Sequence, residues 1–147
     1  MKREEFYSDF KLILVYINEA QKARLEEFFE EIRFYYYAVQ KKLETVWSDK
    51  IKHKNSTVWP GTDCIFMLSV PSGEVDKMLK YLKTFRMSLP EGIVMSIGIL
   101  PMDRVIPRVY FEDIDVDEEL LEKLKDKYTK STYIKEEFYQ KISLNSY

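Results

Sequence analysis

The sequence predicts an α+β domain: one antiparallel sheet covered by helices on a single face. Three observations lead there. Two strand-helix-strand runs fill most of the chain, residues of known conformational effect mark their boundaries, and the first strand is apolar without alternation. The clearer run spans residues 61–101. Residues 64–70 (CIFMLSV) read as a strand, and Pro71-Ser72-Gly73 reads as a helix start. Val75, Met78, Leu79, Leu82 and Phe85 then form the stripe of an amphipathic helix. After a Leu89-Pro90-Glu91-Gly92 break, residues 93–100 read as a second strand, which Pro101 stops.

Taken in order, residues 1–10 mix charge with Phe6, Tyr7 and Phe10 and read as a short arm whose aromatic rings pack on the fold. Residues 12–17 (LILVYI) have the continuous apolar character of a strand buried on both faces. Asn18 ends that strand and caps a helix over 19–33, with Gln21 placed for a loose capping box. Leu25, Phe28, Phe29 and Ile32 form the helix's buried stripe, and its glutamates form a solvated face. Residues 34–47 read as one long strand, with Tyr35, Tyr37, Val39, Leu43 and Trp47 on one parity. Its three consecutive tyrosines could stack bases, but only Lys41 and Lys42 stand near them to follow phosphates, so a core or subunit-contact role is expected.

Residues 48–60 are the most polar interior segment and read as a long exposed loop, flanked by Trp47 and Trp59, which would stack across its base. Lys50, Lys52, His53 and Lys54 could meet an anion there, against the plainer expectation of a solvated tip. His53 is the sole histidine and has no companion at metal-ligand spacing, so no metal site is expected. In the next helix Ser72 is placed to cap, with Glu74 and Asp76 in the first turn. Gly98 inside the last strand suggests a bulge or a close backbone approach. Residues 117–128 and 132–142 read as two further helices.

Composition limits the function classes. A chain of 147 residues is the size of one ordinary domain. Lys+Arg 23 against Asp+Glu 25 gives no basic field, so nucleic acid is not the expected partner. Cys64 alone cannot form an internal disulfide, and inside an apolar strand it reads as a small buried filler. No apolar run is long enough to cross a membrane, and charge at Lys2, Arg3, Glu4 and Glu5 displaces a secretory signal, so a cytoplasmic location is expected. No Ser/His/Asp set, metal cluster or phosphate loop is present, so the chain is not expected to be an enzyme.

The order β-α-β-β-α-β with right-handed crossovers gives a ferredoxin-like sandwich, with the first and third strands central. Residues 1–110 would form that domain, and 111–147 a helical extension packed on it. The uncovered sheet face is apolar, and a closed homo-oligomer, a trimer, is the expected way to cover it.

Residues 97–106 (Ile97-Gly98-Ile99-Leu100-Pro101-Met102-Asp103-Arg104-Val105-Ile106) resemble the end of the last sheet strand in PII signalling proteins. There too a hydrophobic strand runs into Leu-Pro, an acidic residue and an apolar pair. Topology and segment length extend the resemblance over roughly residues 11–110. It implies a trimer that binds a nucleotide or related small anion between subunits and signals through the loop after the second strand. Carried onto this chain, it implies ligand binding by Trp47, Gly92, Arg104 and Arg108, and a signalling loop bearing Lys50, Lys52, His53, Lys54 and Trp59. The chain departs from the family at its phosphate loop, where Ser88-Leu89-Pro90-Glu91-Gly92 holds one glycine. It departs again where paired arginines are expected, since Pro107 and Val109 flank Arg108. The alternative is a ligand-free interaction module that recruits a protein target through the C-terminal helices and the tyrosine-rich strand.

Overall fold

The computed structural model describes residues 9–130. Its first strand, β1 (Phe10–Asn18), runs into a 3-10 turn (Glu19–Gln21) and then α1 (Lys22–Glu31). The expected single helix therefore starts in two steps. Asn18 does cap, its side chain accepting the Ala20 N–H at 3.0 Å. Gln21 does not complete a box: its side chain is buried and its Oε1 has no hydrogen-bond partner.

The expected long second strand is broken in two, as β2 (Tyr37–Leu43) and β3 (Thr45–Val46). Lys42 has φ +59°, and the pairing register shifts between Gln40 and Leu43. That left-handed residue turns the chain off the main sheet. β3 then pairs with β4 (Lys52–His53), Thr45 opposite His53 and Val46 opposite Lys52. The polar segment after Trp47 thus contains a strand of its own, contrary to expectation. Tyr35 and Tyr36 lie ahead of β2 and are exposed, so Tyr35 does not share the stripe of Tyr37 and Val39.

Next come β5 (Asp63–Pro71), a second 3-10 turn (Ser72–Glu74), α2 (Val75–Met87) and β6 (Met95–Met102). Ser72 does not cap the helix; its hydroxyl meets Asp9 Oδ1 at 2.6 Å, tying the entry of β1 to the end of β5. β6 continues through Pro101 instead of stopping there, with Pro101 opposite Lys11. An edge position permits this, because one side of the strand needs no donor. Gly98 marks neither a bulge nor a close approach: the β1–β6 register is continuous, and nothing lies within 4 Å of where its Cβ would stand.

The main sheet has the order β2-β5-β1-β6, all antiparallel, with β1 and β5 central. This is the ferredoxin-like arrangement that the β-α-β-β-α-β order requires. Ile13, Val15 and Ile17 from β1 and Cys64, Phe66, Leu68 and Val70 from β5 point to the helix side. There they meet Leu25 and Phe29 of α1 and Met78, Leu82 and Phe85 of α2. Leu12, Leu14 and Tyr16 of β1 and Ile65 and Met67 of β5 take the other parity and are half-buried.

The chain divides into two compact units, Met1–Ile106 and Pro107–Tyr147. The second contains a 3-10 turn (Val109–Phe111) and α3 (residues 118–130). Asp117 starts α3, its Oδ1 accepting the Leu120 N–H at 3.0 Å. The helix expected over 132–142 and the rings of Phe6 and Tyr7 lie outside the described residues.

Candidate functional site

Asp63 opens β5 directly opposite Asn18, on the sheet face turned away from the helices. It is fully buried. A buried carboxylate needs donors, and three come from the small hairpin. His53 Nδ1 lies 2.6 Å from Asp63 Oδ1, while the Thr45 hydroxyl (2.5 Å) and the Trp47 indole N–H (3.1 Å) donate to Oδ2. The Trp47 ring also packs edge-on against Tyr16 at a centroid distance of 5.6 Å. The β3–β4 hairpin is therefore fastened over one end of the helix-free face by a polar cluster that the main sheet anchors.

Beside this cluster runs an open groove of about 220 Å³, lined by Asn18, the 50–53 stretch, Trp59, Pro60 and the 92–94 stretch. Asn18 Nδ2 donates to the Pro60 carbonyl at 2.7 Å and holds the far end of the loop against β1. The Trp59–Pro60 peptide is cis, and Gly61 follows with φ +66°, a turn that glycine makes without steric cost. Across the groove, the Ile93 N–H donates to the Pro90 carbonyl at 3.2 Å, and Arg86 Nη2 donates to the Glu91 carbonyl at 2.8 Å. These bonds fix the segment carrying Gly92. Along the groove wall stand two ammonium groups and an imidazole, with no carboxylate among the lining side chains. Lys50 and Lys52 form no ion pair among the described residues. The groove can therefore attract an anion, and the exposed Trp59 ring at its rim offers a flat apolar surface.

Five of the residues singled out in the sequence come together here: Lys50, Lys52, His53, Trp59 and Gly92. His53 is not an exposed loop residue, because the Asp63 carboxylate draws it inward until it is only 6% exposed. Trp47 is not in the groove lining; it is committed to Asp63 and Tyr16 and makes no ring contact with Trp59. Lys54 is exposed outside the groove, and Arg104 is exposed beyond β6. Arg108 is exposed and belongs to the second unit, where it precedes the Val109–Phe111 turn. Sequence reasoning missed Asp63. Its signal was a carboxylate at the mouth of an apolar strand, ten residues after the sole histidine.

Among the described residues no group of three or more His, Cys, Asp or Glu side chains could hold a metal ion. No helix among them is long and apolar enough to cross a membrane. Burial pushes the Cys64 thiol up to about 12, with Glu19 and Asp63 adding to the effect. A thiol so placed is a core residue and not a nucleophile.

No family model matches the chain, and no curated protein matches it. Among solved structures it is similar to CPII, a nitrogen regulatory PII-like protein from Thiomonas intermedia K12 bound to ADP, AMP and bicarbonate. That likeness has a TM-score of 0.48 and 12% identity, covering 65% of this chain and 89% of the other. It is also similar to a DUF3240 family protein from Shewanella baltica, with a TM-score of 0.48 and 12% identity over 75% of this chain and 99% of the other. A functionally unknown protein from Pediococcus pentosaceus gives a TM-score of 0.45 and 14% identity over 69% and 99%.

Proposed function

We propose that this chain is a divergent PII-like regulatory protein, not an enzyme, whose groove takes a small anionic ligand of the nucleotide class. The observation behind this reading is the convergence of Lys50, Lys52, His53, Trp59 and Gly92 on one groove free of carboxylates. Trp59 would stack on a base and the two lysines would meet phosphate oxygens. A volume of about 220 Å³ falls short of the roughly 300–1,000 Å³ of ordinary small-molecule sites. A whole nucleotide therefore needs a second wall. A neighbouring subunit supplies it in the trimer that the half-buried apolar residues Leu12, Leu14, Ile65 and Met67 favour. Ligand occupancy would be reported through the 48–60 loop, in a protein that works in the cytoplasm.

Thermal unfolding with ATP, ADP, AMP, cyclic nucleotides and bicarbonate tests the reading. A ligand at a hundredfold over its Kd stabilises by about 2.7 kcal/mol. No shift with any of them at millimolar concentration would overturn it. Light scattering should give a mass three times the chain's, and a monomer at micromolar concentration removes the shared wall.

A second reading, a protein interaction module, is favoured by one observation. Along α3, Leu120, Leu124 and Tyr128 recur every four residues and are exposed, and Val109, Tyr110 and Phe111 before it are exposed as well. Paired Leu120→Glu and Leu124→Glu substitutions in the full chain should abolish capture of a protein target while leaving nucleotide binding intact. Unchanged capture would remove this reading.

A further inference from the structure

Resting on the anionic groove described above, the geometry points to proton-coupled binding: an anion enters the groove together with a proton on Nε2 of His53. A carboxylate without a proton only accepts, so the short contact with Asp63 makes Nδ1 the donating nitrogen of His53. Nε2 is then the atom that remains to change. It makes no hydrogen bond among the described residues. It is not sealed away either, since the one buried, unpartnered side-chain polar atom among them is Gln21 Oε1. The imidazole belongs to the groove wall, so a group that gains or loses one charge sits where the anion would lie.

Two effects act in the same direction. With a neutral imidazole, Asp63 is a buried negative charge behind the groove, met only by the neutral donors Thr45, Trp47 and His53 Nδ1–H. That charge opposes an incoming anion across a poorly screened interior. With an imidazolium, the couple carries no net charge and Nε2–H becomes a charge-assisted donor. Lys50 and Lys52 are cationic in either state, and the 92–94 wall contributes no titratable side chain. Cys64, next to Asp63, keeps its proton throughout because burial raises it to about 12. An imidazole is the side-chain type in this set that ordinarily gains or loses its charge within the physiological range.

The test uses the full chain and sulfate, a probe whose own charge stays constant over that range, unlike a phosphate ester. Calorimetry at pH 6 and pH 8, in two buffers of different ionisation enthalpy, reads affinity and proton uptake together. The expected result is uptake of a proton with the anion and an affinity falling by about tenfold per pH unit where the dependence is steepest. His53→Gln should flatten the pH dependence while Lys50 and Lys52 retain the weaker, pH-independent binding. Because His53 is the sole histidine, its imidazole resonance is unambiguous and should move on adding sulfate to the unsubstituted protein. Binding of equal strength at both pH values without proton uptake overturns the coupling and leaves the groove reading intact. No sulfate or nucleotide binding at either pH overturns both.

Discussion

His53 and Asp63 stand ten residues apart in sequence, on different sheets, and meet through Nδ1 and Oδ1 at 2.6 Å with both side chains buried. Removing either partner leaves the other without its match in a dry setting. His53→Ala should lower stability by about 2–3 kcal/mol, because the buried Asp63 carboxylate keeps only the Thr45 and Trp47 donors. Asp63→Ala strands three donors instead and should cost about 3 kcal/mol. Urea titration should show the midpoint falling with an unchanged slope, and losses under about 1 kcal/mol would mean that solvent reaches the pair.

Cys64 should not react with a thiol reagent at pH 8 in the native protein, and should react once urea unfolds it. Its thiol is raised from an ordinary 9.0 to about 12, chiefly by desolvation. The neutral form is the one the fold favours, so its contribution is complete below pH 9. That contribution then declines as pH climbs toward 12, because the unfolded chain ionises first. Rapid native labelling would show that β5 opens readily at its first turn.

Trp59 is 63% exposed, whereas Trp47 is half-buried against Tyr16. Trp59→Ala should leave stability within about 0.5 kcal/mol. It should weaken nucleotide binding by about tenfold, the lower part of what a base–aromatic stack contributes. Nucleotide titration followed by tryptophan fluorescence should report chiefly through Trp59, and an unchanged signal in Trp59→Ala would dissociate this ring from the site.

Phe29 anchors the helix layer. It is fully buried and meets Phe28, Phe34, Tyr37 and Phe66 with ring centroids 4.9 to 6.3 Å apart. Phe29→Ala should cost about 3–5 kcal/mol, read by thermal or urea unfolding. A smaller loss would mean that the neighbouring rings collapse into the gap.

The sheet and its helices were legible because their residues repeat a pattern over many positions. Ile13, Val15 and Ile17 on β1, and Met78, Leu82 and Phe85 on α2, are all core residues. The hairpin was not legible. Two-residue strands are too short to show a period, and the turn-off at Lys42 uses a residue type with no left-handed preference. Strand propensity likewise could not show that residue 101 sits on an edge, where a proline is harmless. Of the four ligand-binding residues implied by the resemblance only Gly92 lines the groove, its basic residues were expected on an exposed loop, and Asp63, ahead of an apolar run, drew no reading.

The kink at Lys42 separates two ladders that the cluster around Asp63 joins again, with the Trp47–Tyr16 ring contact beside it. Thr45, Trp47 and His53 would have to let go in concert for the arm to lift, and a half-released arm would leave a naked charge in a waterless wall. Shifting any one of these contacts would therefore unsettle the other two, because all three meet on a single carboxylate.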